Sequence, residues 1–122
     1  MLCHCQSNKP FESCCQPFLT GKQLPSTAIE LMRSRYSAFV VANIDYIVET
    51  QIDPFHLFES DSALDWAKQS QWKGLEIIAT QDGKAGDKTG VVEFKAYFDD
   101  EIHHEVSEFV FEGRWYFKFP RL

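Results

Sequence analysis

The sequence predicts an α+β domain: three N-terminal helices packed on a curved four-stranded antiparallel sheet, with a small cysteine-rich head in front. Three observations carry this. Apolar residues recur at helical spacing through the first half of the chain, then alternate from Leu75 onward. Glycine-rich and acidic stretches split the second half into four short runs. All four cysteines lie between Cys3 and Cys15, which sets the head apart from the body.

In the head, Cys3/Cys5 and Cys14/Cys15 form two close pairs with eight residues between them. Structural zinc takes four tetrahedral ligands and readily accepts thiolate, so each pair can supply one edge of the tetrahedron. Both pairs are tighter than the usual spacing of about two to four residues. The run Cys3-x-Cys5-x-Ser7-x-Lys9-x-Phe11-x-x-Cys14-Cys15 resembles the SEC-C motif, the zinc knuckle at the tail of the SecA translocation ATPase. That motif usually carries glycine where this chain has Gln6 and Asn8; asparagine tolerates positive φ better than glutamine does. The resemblance implies a structural Zn2+ on Cys3, Cys5, Cys14 and Cys15, and contact with another protein. Disulfides and unliganded thiols are the competing readings. A Cys14–Cys15 bridge would be strained, and no signal peptide directs the chain to an oxidising compartment. Four free thiols in so short a polar stretch would need another reason. His4 is a spare donor expected to face solvent. Four thiolates close a site and leave no position for substrate, so the head is read as folding and recognition, not hydrolysis.

Residues 18–25 read as a linker punctuated by Gly21 and Pro25. Thr27 and Glu30 form a capping box. The helix over 27–42 carries Ala28, Leu31, Met32, Tyr36, Phe39 and Val40 on one face. A second helix starts with Asn43 as N-cap and ends before Pro54, with Ile44, Ile47 and Val48 inward. A third, over 61–71, presents Ala63, Leu64 and Ala67. Strands are expected at Leu75–Thr80, Val91–Phe98, Ile102–Phe111 and Arg114–Phe119, with Gln81–Gly90, Asp99–Glu101 and Glu112–Gly113 as connections. The domains are therefore a knuckle over 1–17, a linker over 18–25 and an α+β domain over 26–122. This order is the one used by cystatin-like and nuclear-transport-factor-2-like cones.

Composition narrows the function classes. Net charge is −6 and the isoelectric point about 5.1. That disfavours nucleic acid as the main partner, because phosphate contacts need a basic face; only Lys9 and Lys22 near the knuckle argue for it. No run approaches the roughly 18 apolar residues of a membrane span. A cytoplasmic protein is the expectation.

A second resemblance extends over nearly the whole chain. It rests on the knuckle, on Leu31-Met32-Arg33-Ser34-Arg35-Tyr36-Ser37-Ala38-Phe39, and on Asp45-Tyr46-Ile47 with Thr50. It continues through Trp72-x-Gly74-Leu75-x-Ile77, Gly90 to Phe98, His104-Glu105-x-Ser107-x-Phe109 and Gly113-Arg114-Trp115-Tyr116. Together these look like the YchJ-like family, which implies a SEC-C zinc motif followed by a nuclear-transport-factor-2-like domain. The resemblance brings no reaction with it. Some members carry a second SEC-C motif at the C-terminus; residues up to Leu122 hold one, so a function needing two is not expected.

No Ser-His-Asp set, phosphate-binding glycine loop or catalytic metal set appears, and no catalytic residue is assigned. The first functional reading is a non-enzymatic zinc protein that meets another protein through its knuckle. The alternative is a small-molecule-binding or enzymatic cone with a pocket near Arg33, Tyr36, Trp72 and His104. A three-residue turn pairing Phe98 with Ile102 would set His104 opposite Ala96 on the covered face. Against this, His104 can be a core histidine. Arg33 and Arg35 can pair with Asp45 or Glu49, and Tyr36 and Trp72 can be ordinary core aromatics. Glu93 is expected to pair with Lys95 and Lys118. A homodimer through the sheet would be marked by exposed rings among Tyr97, Tyr116 and Phe117.

Overall fold

The computed structural model describes residues 1–52, 65 and 67–121. A 3-10 turn at Phe11–Ser13 leads into α1 (Gln16–Leu19), α2 (Ala28–Val40) and α3 (Ile44–Glu49). Four strands follow: β1 (Trp72–Asp82), β2 (Thr89–Phe98), β3 (Glu101–Phe111) and β4 (Trp115–Pro120). They pair in sequence order as one antiparallel meander. The α+β class expected from the change of period is the fold found. Part of the third predicted helix, over 61–71, lies outside the described residues; of its remainder, Asp65 and residues 67–69 are helical. The expected linker instead begins inside α1, whose Phe18 is buried with Ala38, Tyr46 and Ile47.

Local chemistry explains the helix starts. The Thr27 hydroxyl accepts the Glu30 N–H at 3.1 Å. The return half of the box is displaced by one residue: the Glu30 carboxylate accepts from the backbone N–H and hydroxyl of Ser26. Asn43 Oδ1 accepts the Tyr46 N–H at 3.1 Å and starts α3.

The covered face of the sheet holds Leu75, Val92, Phe94, Ala96, Phe109, Trp115 and Phe117, packed on Leu31, Met32 and Tyr36 of α2. Phe117 is thus a core ring, not a marker of a dimer surface. Cys3, Cys5 and Cys15 belong to the same cluster, so the head is continuous with the core. Trp115 Nε1 donates to the Ser26 carbonyl, tying the last strand to the approach to α2. Beyond β4, residues 50–52 pair in parallel with it: Phe117 N–H donates to Thr50 O, and Ile52 N–H to Phe117 O.

The α2 N-terminus rests on the first hairpin. Ala28 N–H donates to Gly83 O at 2.9 Å. A Cβ on Gly90 would sit 2.6 Å from the Gly83 Cα and 3.0 Å from the Ala28 Cβ, so backbone would have to move. Gly90→Ala should therefore cost about 1–3 kcal/mol, read as a lower denaturant midpoint. An unchanged midpoint would show that the hairpin gives way freely.

The β2–β3 turn corrects one expectation. Phe98 pairs with Glu101, so the turn has two residues, Asp99 and Asp100, with Asp99 at φ 51°. A shift of one residue moves every side chain of a strand to the other face. Ala96 therefore lies opposite His103, and His104 opposite Lys95. His104 is on the exposed face, where its Nε2 lies 2.7 Å from Glu93 Oε2. Glu93 thus pairs with His104 rather than with the lysines named from sequence.

Candidate metal centre and the cavity beside it

The sulfurs of Cys3, Cys5, Cys14 and Cys15 all lie within 4.8 Å of one another. Cys5 Sγ is 3.6 Å from Cys14 Sγ, and Cys14 Sγ is 3.9 Å from Cys15 Sγ. A tetrahedron with Zn–S bonds of about 2.3 Å has edges of roughly 3.8 Å, so the donor set fits one such ion. The loop that brings the pairs together is closed by a Leu2–Pro10 bridge and by Cys3 N–H donating to Lys9 O. Gln6 and Asn8 stand at φ 63° and 67°. These are the two positions where the motif favours glycine, and only a left-handed backbone explains that preference.

The surroundings of the sulfurs are polar where it counts. Ser7 Oγ lies 3.1 Å from Cys14 Sγ, and Ser37 Oγ lies 3.6 Å from Cys3 Sγ. A contact with the Cys15 thiol holds Cys5 well below the usual thiol range; the same contact, with burial, drives Cys15 up. Burial also raises Cys14. Without a cation the contact that favours a thiolate at Cys5 disfavours one at Cys15; a divalent cation removes that conflict. His4 stands aside, edge-on to Phe11 with ring centroids 5.3 Å apart.

Arg33 fixes the knuckle to the body: its Nη1 donates to Cys5 O at 2.6 Å. It does not line the cavity proposed for it from sequence. Neither arginine takes Asp45 or Glu49 as partner, and Glu49 lies 3.6 Å from Arg114. Arg33 and Arg35 are two positions apart on α2 and so face different ways.

Arg35 instead faces a cavity of about 280 Å³ between α2 and the sheet. Its walls carry the rings of Tyr36, Phe39, Trp72, Phe94 and Phe117. Its polar groups are Arg35 from α2 and His103, Glu105 and Ser107 from β3. Of the four residues expected at a pocket, Tyr36 and Trp72 line this one; Arg33 and His104 do not. His103 was passed over because the turn length, not any local pattern, decides which histidine lies on the sheet face that carries the cavity. Glu105 Oε1 lies 2.8 Å from His103 Nε2, and Ser107 Oγ donates to Glu105 Oε2. The hydroxyl meets the carboxylate rather than the imidazole, so this row lacks the serine–histidine contact of a Ser-His-Asp arrangement.

Burial pushes the Tyr36 and Tyr46 hydroxyls up to about 12. Unfolded tyrosine ionises near about 10, so from about pH 10 to 12 the folded chain keeps protons the unfolded chain has lost. Stability falls as pH rises through that window. Arg35, lowered to about 10 by burial, acts the other way and offsets part of this. In an alkaline titration two phenols should ionise together with the loss of the circular dichroism signal. Full phenolate absorbance from a still-folded chain would contradict this.

Comparison with known proteins places the chain. A family model described as "YchJ, middle NTF2-like domain" matches residues 27–119. A UPF0225 protein of Geobacter sulfurreducens is 45% identical, over 95% of this chain and 76% of its own length. One of Actinobacillus succinogenes is 42% identical, over 95% and 79%. The solution structure of a SEC-C motif containing protein from Rhodopseudomonas palustris matches with TM-score 0.86 and 36% identity, covering 99% of this chain and 98% of that one. The crystal structure of a SEC-C motif containing protein from Psychrobacter arcticus gives TM-score 0.86 and 34% identity, covering 100% and 82%. With the cysteine quartet at its head and the meander behind it, the chain belongs to the YchJ-like family.

Proposed function

We propose that this protein is a zinc-binding recognition module. Cys3, Cys5, Cys14 and Cys15 hold one Zn2+, and the outer rim of the knuckle meets another protein. The observation that carries this is the set of four sulfurs at mutual distances that suit a single tetrahedral ion. The ion's task is structural: four thiolates leave no open position for a substrate or an activated water. Cys3, Cys5 and Cys15 are buried against the body, while Gln6, Asn8, Lys9, Pro10, Glu12 and Ser13 are exposed. A partner therefore reads the rim, whose backbone the ion holds in shape. The likeness of the knuckle to the SecA tail supports a protein as that partner. Among the described residues no helix is long and apolar enough to cross a membrane.

The test joins metal analysis to capture. Protein purified without chelator should carry one zinc per chain, and should retain a partner from native lysate that the Cys14→Ser/Cys15→Ser protein does not. Absence of zinc would defeat the reading of the ion. Equal retention by both proteins would defeat the reading of the rim.

A further inference from the structure

We propose that the cavity between α2 and the sheet is a binding site for a small molecule with a planar apolar body and a single carboxylate, whose charge is met by Arg35. This stands apart from the knuckle and does not depend on the metal.

The first argument is charge. Arg35 is 5% exposed. A buried charge needs a counter-charge or a full set of hydrogen bonds. Among the described residues its hydrogen-bond partners are uncharged. Nη1 donates to Ile47 O at 2.9 Å and to Thr50 Oγ1 at 2.8 Å, which uses both its protons. Nη2 makes one long contact, 3.4 Å, to Gln51 Oε1. Phe117 covers a face of the guanidinium at 4.7 Å. The edge formed by Nε and Nη2 is the part of the fork least committed to the fold. That edge takes a carboxylate through two parallel hydrogen bonds. Next to it, Gln51 is 3% exposed and its Nε2 is a buried donor without an acceptor. An acceptor oxygen against Arg35 supplies what its uncommitted edge lacks.

The opposite wall carries the Glu105 carboxylate, close enough for its charge to favour the Arg35 cation. Its two oxygens are engaged with His103 and Ser107, so it makes no hydrogen bond to the guanidinium and leaves the Nε–Nη2 edge uncommitted.

The second argument is shape. A dry cavity of about 150 Å³ accommodates benzene, so 280 Å³ suits two fused rings with a carboxylate. Trp72 stands at the centre of the aromatic wall, with Tyr36 edge-on to it at 5.9 Å and Phe39 at 5.8 Å. Flat apolar walls with a few charged and polar groups fixing orientation are the usual composition of a small-ligand site. Ala96, opposite His103, is the small residue that keeps the floor open.

The experiment is a calorimetric or NMR titration of the 122-residue chain with 2-naphthoate and, separately, with the uncharged isostere 2-naphthamide. The acid should bind saturably and at least about tenfold more tightly than the amide. Ala96→Leu, which fills the floor, should abolish binding of both. Arg35→Lys keeps a charge but loses the fork, and should reduce the acid's affinity at least about tenfold while leaving the amide's unchanged. Circular dichroism checks that each variant is folded. If Arg35→Lys does not fold, the acid–amide difference in wild type and the Ala96→Leu result still decide. Equal binding of acid and amide, no saturable binding of the acid at millimolar concentration, or full affinity in folded Ala96→Leu would each overturn the proposal.

Discussion

Replacing Cys5 with serine should abolish the proposed zinc binding and lower the melting temperature by roughly 10–20 °C. Cys5 is fully buried, its sulfur lies 3.6 Å from that of Cys14, and its carbonyl takes the Arg33 side chain. Serine is a poor zinc donor at neutral pH, so three thiolates would remain around the ion. Structural zinc binding in small modules is worth about 10–16 kcal/mol on an apparent scale, part of it spent on ordering the loop. A ligand bound only by the native state adds about 4 kcal/mol at a thousandfold excess over its dissociation constant. Here the effect must reach beyond the head, because Cys3, Cys5 and Cys15 pack in one cluster with Leu31, Met32 and Leu75. Treating wild type with a strong chelator should reproduce the drop. The control is Ser13→Ala, an exposed change within the same loop. A melting temperature indifferent both to chelator and to Cys5→Ser would sink this account.

Trp115→Ala should cost about 3–5 kcal/mol, a large share of the roughly 5–15 kcal/mol that holds a domain folded. Trp115 is 0% exposed and is the largest of the fully buried side chains among the described residues. Its ring meets Phe111 edge-on at 5.6 Å, and its Nε1 reaches Ser26 O at 3.2 Å. Truncation opens a ring-sized void and orphans a carbonyl at the approach to α2. Trp115→Phe should fall between, because it restores most of the volume but not the donor. The readout is a shifted denaturant midpoint with an unchanged slope. A loss below about 1 kcal/mol would mean that the neighbouring rings collapse into the gap.

Much of the fold was legible because its signals are local. The capping threonine, the Asn43 cap, the apolar stripe of α2 and the alternation of β2 each depend on neighbours within four residues. The cysteine quartet was legible for the same reason, since both pairs and their loop lie within thirteen positions. What escaped depends on distant geometry. One residue in the turn after Phe98 decides whether His103 or His104 lies on the sheet face that carries the cavity, and sequence offers Asp99-Asp100-Glu101 as an equally plausible turn of three. Arg33 and Arg35 both have Asp45 and Glu49 nearby in sequence, yet one is drawn to a carbonyl of the knuckle and the other to the end of α3. The Cys5 and Ile47 carbonyls are groups every residue carries, and the Thr50 hydroxyl and Gln51 amide that Arg35 also meets are uncharged, so no pattern of acids announces these partners. Phe18 escaped because a Gly/Pro-punctuated segment hid a single packed turn.

The sheet is open, so its two outer strands bear on how the chain behaves when crowded. Unpaired strand edges invite edge-to-edge polymerisation. Here β1 is broken by irregularities at Trp72/Gly74 and Ile77/Ala79, and β4 is partly occupied by residues 50–52 and ends in Pro120. Neither rim offers a long flat template for a neighbouring molecule. A solution held at high concentration should therefore stay free of fibrils.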